Sequence, residues 1–143
     1  MQIDKYSQKA VLVAIAIPIF TSQLEKSREA TDIANVRDYY AEISVALLDG
    51  SISNTQTSLT LSGGKTATAT YNATTGILEK VVVGSAKVNQ KEADWVISDH
   101  NVAGVDVTAP AKGTTSSDIT YTFTTATDGA KNTYLSAVAY GTT

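Results

Sequence analysis

The single histidine of the chain, His100, stands beside Asp99 and two places after Ser98. A serine whose proton passes to an imidazole, itself oriented by a carboxylate, is the arrangement of nucleophilic acyl transfer. No recognisable serine motif surrounds Ser98, and no cysteine is present to serve instead. The three residues read as a plain loop, no catalytic residue is assigned, and the chain is not read as an enzyme. Ser62-Gly63-Gly64 is more economically a hairpin turn than a phosphate cradle, since no strand leads into it in the required way. Asp94, Asp99, Asp106, Asp118 and Asp128 supply the hard oxygen ligands that calcium takes. They are dispersed, with no Asp-x-Asp-x-Asp run, so no metal ligand is assigned and no cofactor is expected. Asn72-Ala73-Thr74 fits an N-glycosylation acceptor and equally a turn.

The composition narrows the classes further. With 143 residues there is room for one domain plus an extension. A formal net charge of -3, with lysines scattered at Lys65, Lys80, Lys87, Lys91, Lys112 and Lys131, lacks the clustered cations of a nucleic-acid surface. The absence of cysteine excludes disulfide staples and thiolate metal sites without fixing a compartment.

The element that must position everything else is a long helix. From residue 9 to residue 48 only Pro18 interrupts a helical pattern, and Asp49-Gly50 stops it. Such a run makes a rod of ~60 Å at ~1.5 Å per residue. The rest of the chain can form only a compact body with a radius of gyration near ~13 Å. Part of the rod must therefore protrude, and the chain divides into a polar leader (1–9), a long helix (10–49) and a β-rich head (50–143).

The helix has two unlike halves. Residues 10–20 are apolar all round, the mark of a helix covered on every side. As a helix they extend ~16 Å, too short for a hydrocarbon core of ~30 Å. Neither do they read as a secretory signal peptide. Pro18 removes its bond to the Ala14 carbonyl at a cost of ~3 kcal/mol, placing a bend where partners are needed. Higher up, Ile33, Val36, Tyr40, Ile43 and Leu47 recur in steps of three and four, a stripe that faces the head core. Between the halves lies a charged belt of Glu25, Lys26, Arg28, Glu29 and Asp32. Glu25 with Arg28, and Arg28 with Asp32, sit at contact spacing on one helix.

Downstream the period falls to two. Leu59 and Leu61, then Ala67, Ala69 and Tyr71, alternate with Ser and Thr. Residues 77–83, 119–125 and 134–140 read as further strands, suited to an antiparallel sheet with one wet face. Residues 86–95 read as a short helix or an irregular connection, and 98–118 as a loop long enough to be a recognition surface. Trp95 and the tyrosines could in principle form a carbohydrate platform, but most read as packing under the sheet.

Ala14-Ile-Ala-Ile-Pro-Ile-Phe20, followed by Thr21-Ser-Gln-Leu-Glu-Lys-Ser-Arg-Glu-Ala-Thr-Asp32, resembles a type IV pilin over about residues 10–48. The resemblance implies an α+β pilin fold, with the long N-terminal helix packed by its C-terminal half on an antiparallel head. It implies a structural subunit of a cell-surface filament that grows by helix packing and supports adhesion, motility or biofilm formation. The partners so implied are other copies, other pilins and an assembly machinery, outside the cell, with membrane anchoring before assembly. Val11, Ile15, Ile17, Pro18 and Phe20 are the expected assembly residues. Glu25, Arg28 and Glu29 are expected to fix register between copies, so that charge reversal at Arg28 and Glu29 leaves the head folded. Residues 1–9 lack the family's leader site, its N-methylated phenylalanine and the glutamate that follows, and resemble a replaced segment. Without cysteine the chain is more similar to the pilins of Gram-positive bacteria. The alternatives are a calcium-binding pseudopilin of a secretion system and a minor tip pilin or adhesin.

Overall fold

In the computed structural model the chain forms α1 (Gln2–Asp49), β1 (Ser58–Thr60), β2 (Thr66–Tyr71), β3 (Leu78–Lys87), β4 (Asn101–Val102), β5 (Val105–Thr108), β6 (Ser116–Thr125) and β7 (Thr133–Tyr140). The structure describes residues 22–127, 129 and 132–141, together with the helical course of α1 ahead of residue 22. Helix α1 ends where the sequence says it must. Gly50 takes φ +84°, a left-handed backbone that glycine adopts without a Cβ penalty. Ser51 N–H then bonds Asp49 Oδ1 at 2.8 Å, and Ile52 N–H bonds the Ala46 carbonyl at 3.1 Å.

The seven strands form one sheet in the order β1-β2-β3-β6-β7-β5-β4. Alternation decides its faces. Ala67 and Ala69, Val81 and Val83, Ile119 and Tyr121, and Val138 and Tyr140 are buried, while Thr66, Thr68 and Thr70 face outward exposed. Ile33, Val36, Ile43 and Ala46 of α1 join the same apolar cluster, with Tyr40 and Leu47 partly buried against it. Two tyrosine hydroxyls of the sheet reach the helix backbone. Tyr121 donates to the Val36 carbonyl at 2.6 Å, and Tyr140 to the Asp32 carbonyl at 3.4 Å.

Two expectations are corrected here and a third reading is narrowed. The α+β pilin fold with an antiparallel head is overturned: from residue 22 onward strand outweighs helix, 37% to 24% of the described residues, and the sheet is mixed. Its parallel pair is β5 with β7, Val107 opposite Val138 and Thr108 opposite Ala139. A parallel pair needs a long crossover, which local alternation does not reveal. Secondly, residues 98–118 are no open loop, because they contain the β4–β5 hairpin and the start of β6. Of the two readings of residues 86–95, the irregular connection holds from residue 88: residues 88–97 are neither helix nor strand and link the sheet centre towards its far edge, while Ala86 and Lys87 still belong to β3.

The β4–β5 turn carries a cost. Ala103 has φ +50° and Gly104 φ +83°, the paired left-handed geometry that favours Asn-Gly. Ala103→Asn should therefore raise the unfolding free energy by about 0.5–1 kcal/mol in urea titrations, since asparagine tolerates this region better than alanine. An unchanged or lower midpoint would contradict that account of the turn.

Candidate functional site

The densest polar construction in the described residues lies where 88–97 crosses α1. Glu25, Glu29 and Asp32 follow one another by four and three positions, so they share one helix face. All three are buried, Glu29 and Asp32 at 0% exposure. They lie in line with the Ile33, Val36, Tyr40, Ile43 and Leu47 stripe and continue it downward in carboxylates. Each one is occupied by backbone amides of the crossing segment. Asp32 accepts from Asn89 N–H at 2.9 Å and Gln90 N–H at 2.8 Å, and also from Asn89 Nδ2 at 2.8 Å. Glu25 Oε1 accepts from Lys91 N–H at 2.9 Å and Glu92 N–H at 3.0 Å. Glu29 Oε1 accepts from Val96 N–H at 2.7 Å and Ile97 N–H at 3.1 Å.

The segment thus runs down the helix from Asp32 to Glu25, reverses, and comes back to Glu29. A segment without regular structure must find partners for its own amides. A buried carboxylate must find donors, and charge-assisted bonds to N–H groups are about twice as strong as neutral ones. Each requirement answers the other. Above the ladder Arg37 extends it, donating to Asp99 Oδ1 at 3.0 Å and to the Asn101 carbonyl at 2.9 Å. The second oxygen of Glu29 and Oε1 of Gln90 are buried with no hydrogen-bond partner.

This places the charged belt differently from its sequence reading. Glu25 and Glu29, assigned to register between copies, hold the chain's own backbone. Arg28 stands at the margin, 3.5 Å from Glu25 Oε2. Val11, Ile15, Ile17, Pro18 and Phe20 lie outside the residues whose side chains are described. The amide donors of residues 89–97 were missed, but Glu25, Glu29 and Asp32 carried one usable signal: they keep the phase of the apolar stripe. Read as charges, they suggested contacts between copies.

The chemistry weighed from sequence is dispersed. The His100 ring stacks on Trp95, with centroids 5.4 Å apart and planes 6° from parallel. Its Nδ1 is buried and unpartnered, while Trp95 Nε1 donates to the Val107 carbonyl at 2.7 Å. The pair is a packing unit under the β4–β5 hairpin, and Ser98 forms no bond to it. Asp99 is taken by Arg37, and Asp118 Oδ1 accepts the Ser85 N–H at 2.9 Å. Among the described residues no three His, Asp or Glu side chains gather as a metal site requires; Asp128 lies outside them. Asn72 makes a turn, its Oδ1 accepting from Thr74 and Thr75 N–H at 2.9 Å each.

Two clefts flank the helix. One of about 500 Å3 lies beside the ladder, between Lys26, Ile33 and Arg37 on α1 and residues 96–99. The other, about 380 Å3, separates the last turns of α1 from β1. No described helix is long and apolar enough to cross a membrane. Comparison with protein-family models, with curated proteins and with solved structures finds no match to this chain.

Proposed function

We propose that this protein is a structural subunit of a type IV pilus-like filament on the cell surface, assembling with further copies of itself through α1. One observation carries the proposal: a single helix has two halves with opposite needs. Residues 22–49 bury a stripe in the head and are tethered to it by three carboxylates. Residues 10–20 are apolar in sequence on every side. The tether joins helix and head into one body, so that a force or contact on the lower helix is transmitted to the head. The lower segment then gains ~25 cal/mol for each Å2 of apolar surface it buries against neighbours. Support comes from the helix and from the residues that resemble a pilin, because the mixed sheet departs from the expected head. The carboxylates of the ladder are taken up by backbone amides of the crossing segment, which gives it a mechanical role.

Immunogold electron microscopy of cells producing the protein, with antibody raised against residues 50–143, provides the test. Label along the whole length of thin surface filaments is the expected result. Label confined to tips, or antigen at the envelope without filaments, would instead indicate a minor subunit or a secretion-system component.

A further inference from the structure

The apolar side of β6 runs on past its cover. Tyr121 is fully buried, but Phe123, two places further along, is only half-buried, as is Ile77 just ahead of β3. Beside them opens a cleft of about 550 Å3 between the β2–β3 turn and the end of β6. Ile77, Leu78 and Phe123 make its floor, and Glu79 stands at its rim with the hydroxyls of Thr75 and Thr125. That volume lies within the about 300–1,000 Å3 of small-molecule sites, which likewise combine apolar walls with a few placed polar groups. Both walls are fixed by the fold itself. Asn72 N–H bonds the Ile77 carbonyl and Gly76 N–H the Asn72 carbonyl, each at 2.8 Å, while Ala126 N–H bonds the Asn132 carbonyl at 2.7 Å. Asn72 Nδ2 also donates to Glu79 Oε1 at 3.0 Å. That bond steadies the carboxylate and uses one of its about four lone-pair sites.

We propose that this cleft binds a neutral saccharide, a function that stands independently of the filament reading. Three features of the lining select that ligand. The first is the ring of Phe123, whose face is electron-rich and complements the C–H groups along one side of a sugar ring. The second is the polar rim: a steadied carboxylate accepts from sugar hydroxyls, and threonine hydroxyls both donate and accept. The third is charge. Among the described residues, Glu79 is the one ionisable group that lines the cleft, so a phosphate, a sulfate or a sialylated glycan would be repelled. A cationic side chain would gain little, because Glu79 is exposed and ion pairs at exposed positions contribute little. An extended peptide fits no better. Strands β3 and β6 lie inside the sheet and offer no free edge for a further strand.

The full chain applied to an immobilised panel of neutral, sialylated and sulfated glycans, with a lysine-rich peptide alongside, tests the assignment. Retention by one or more neutral glycans is expected. Hydrogen exchange in the presence of a retained glycan should slow in peptides spanning residues 72–79 and 122–127. Glu79→Ala, at an exposed position, should weaken binding about tenfold or more by removing a charged acceptor. Phe123→Leu keeps apolar bulk without the ring and should weaken it about three- to tenfold. Both variants should retain the parent's circular dichroism spectrum. Retention by no member of the panel would overturn the proposal, as would retention by the sialylated or sulfated glycans or the lysine-rich peptide alone. Neutral-glycan binding that leaves residues 72–79 unprotected, or that both folded variants keep at full strength, would equally overturn it.

Discussion

Asp32→Ala should lower the unfolding free energy by about 3 kcal/mol and the melting temperature by roughly 10 °C. Asp32 is fully buried and accepts hydrogen bonds from three donor groups of Asn89 and Gln90, two of them backbone. Truncation leaves those donors unpaired where water cannot readily reach them, at a cost of about 1–3 kcal/mol for each buried group. Part of that loss is returned, because a buried charge and its desolvation cost are removed as well. Asp32→Asn should cost less, about 2 kcal/mol, since one oxygen remains while the new NH2 faces other donors. Chemical denaturation gives the sum. Hydrogen exchange locates it: the amides of residues 89 and 90 should lose protection before those of β6. If Asp32→Ala melts within a degree or two of the parent, the ladder is not what holds this segment to the helix.

The same geometry reverses one expectation from the sequence. Charge reversal at Arg28 and Glu29 together spares the head only if both side chains face outward. Arg28 is partly exposed and its one ion pair is 3.5 Å long, so it contributes little. Glu29 is fully buried on Val96 and Ile97 N–H. A lysine there would bring a cation against donors, so loss of filaments in that double variant would report unfolding as readily as lost register.

What the sequence disclosed, and what it withheld, follows from the range of each interaction. Helical periodicity is local, so the spacing of Ile33, Val36 and Ile43 is enough to place them on one face. Alternation is local too, which is why β2, β6 and β7 are legible within a few residues. The parallel pairing of β5 with β7 depends on residues 88–100 carrying the chain from β3 to the far edge, beyond the places that β6 and β7 later take, and nothing within either strand encodes it. Glu25, Glu29 and Asp32 show why the ladder is hard to foresee. Their spacing is visible, but a carboxylate is buried only when donors arrive, and these come from residues more than fifty positions away. Hydropathy assigns such residues to solvent, whereas phase with the apolar stripe assigns them to the interface. Where the two disagree, a run of backbone amides without regular structure elsewhere in the chain is the clue.

Tyr121 should divide its contribution into two measurable parts. Tyr121→Phe deletes only the 2.6 Å bond to the Val36 carbonyl, at about 1–2 kcal/mol, leaving that helix carbonyl its own intrahelical partner. Tyr121→Ala also removes a fully buried ring that stacks on Tyr40 at 5.9 Å, and should cost about 4 kcal/mol, enough to threaten folding. Alkali gives an independent reading. Burial pushes the phenols of Tyr121 and Tyr140 far above their ordinary value. In the unfolded chain these groups ionise near about pH 10, whereas in the folded chain they stay protonated, so above that pH the folded state binds more protons. Stability is therefore unaffected by these groups below about pH 10 and falls as pH rises beyond it. Tyr121→Phe should make that alkaline decline shallower, by close to one proton's worth of slope, even though the variant starts from lower stability. Equal slopes for parent and variant, with tyrosinate absorbance rising before unfolding, would mean that the Tyr121 hydroxyl reaches solvent in the folded protein and that its bond to α1 is not part of the core.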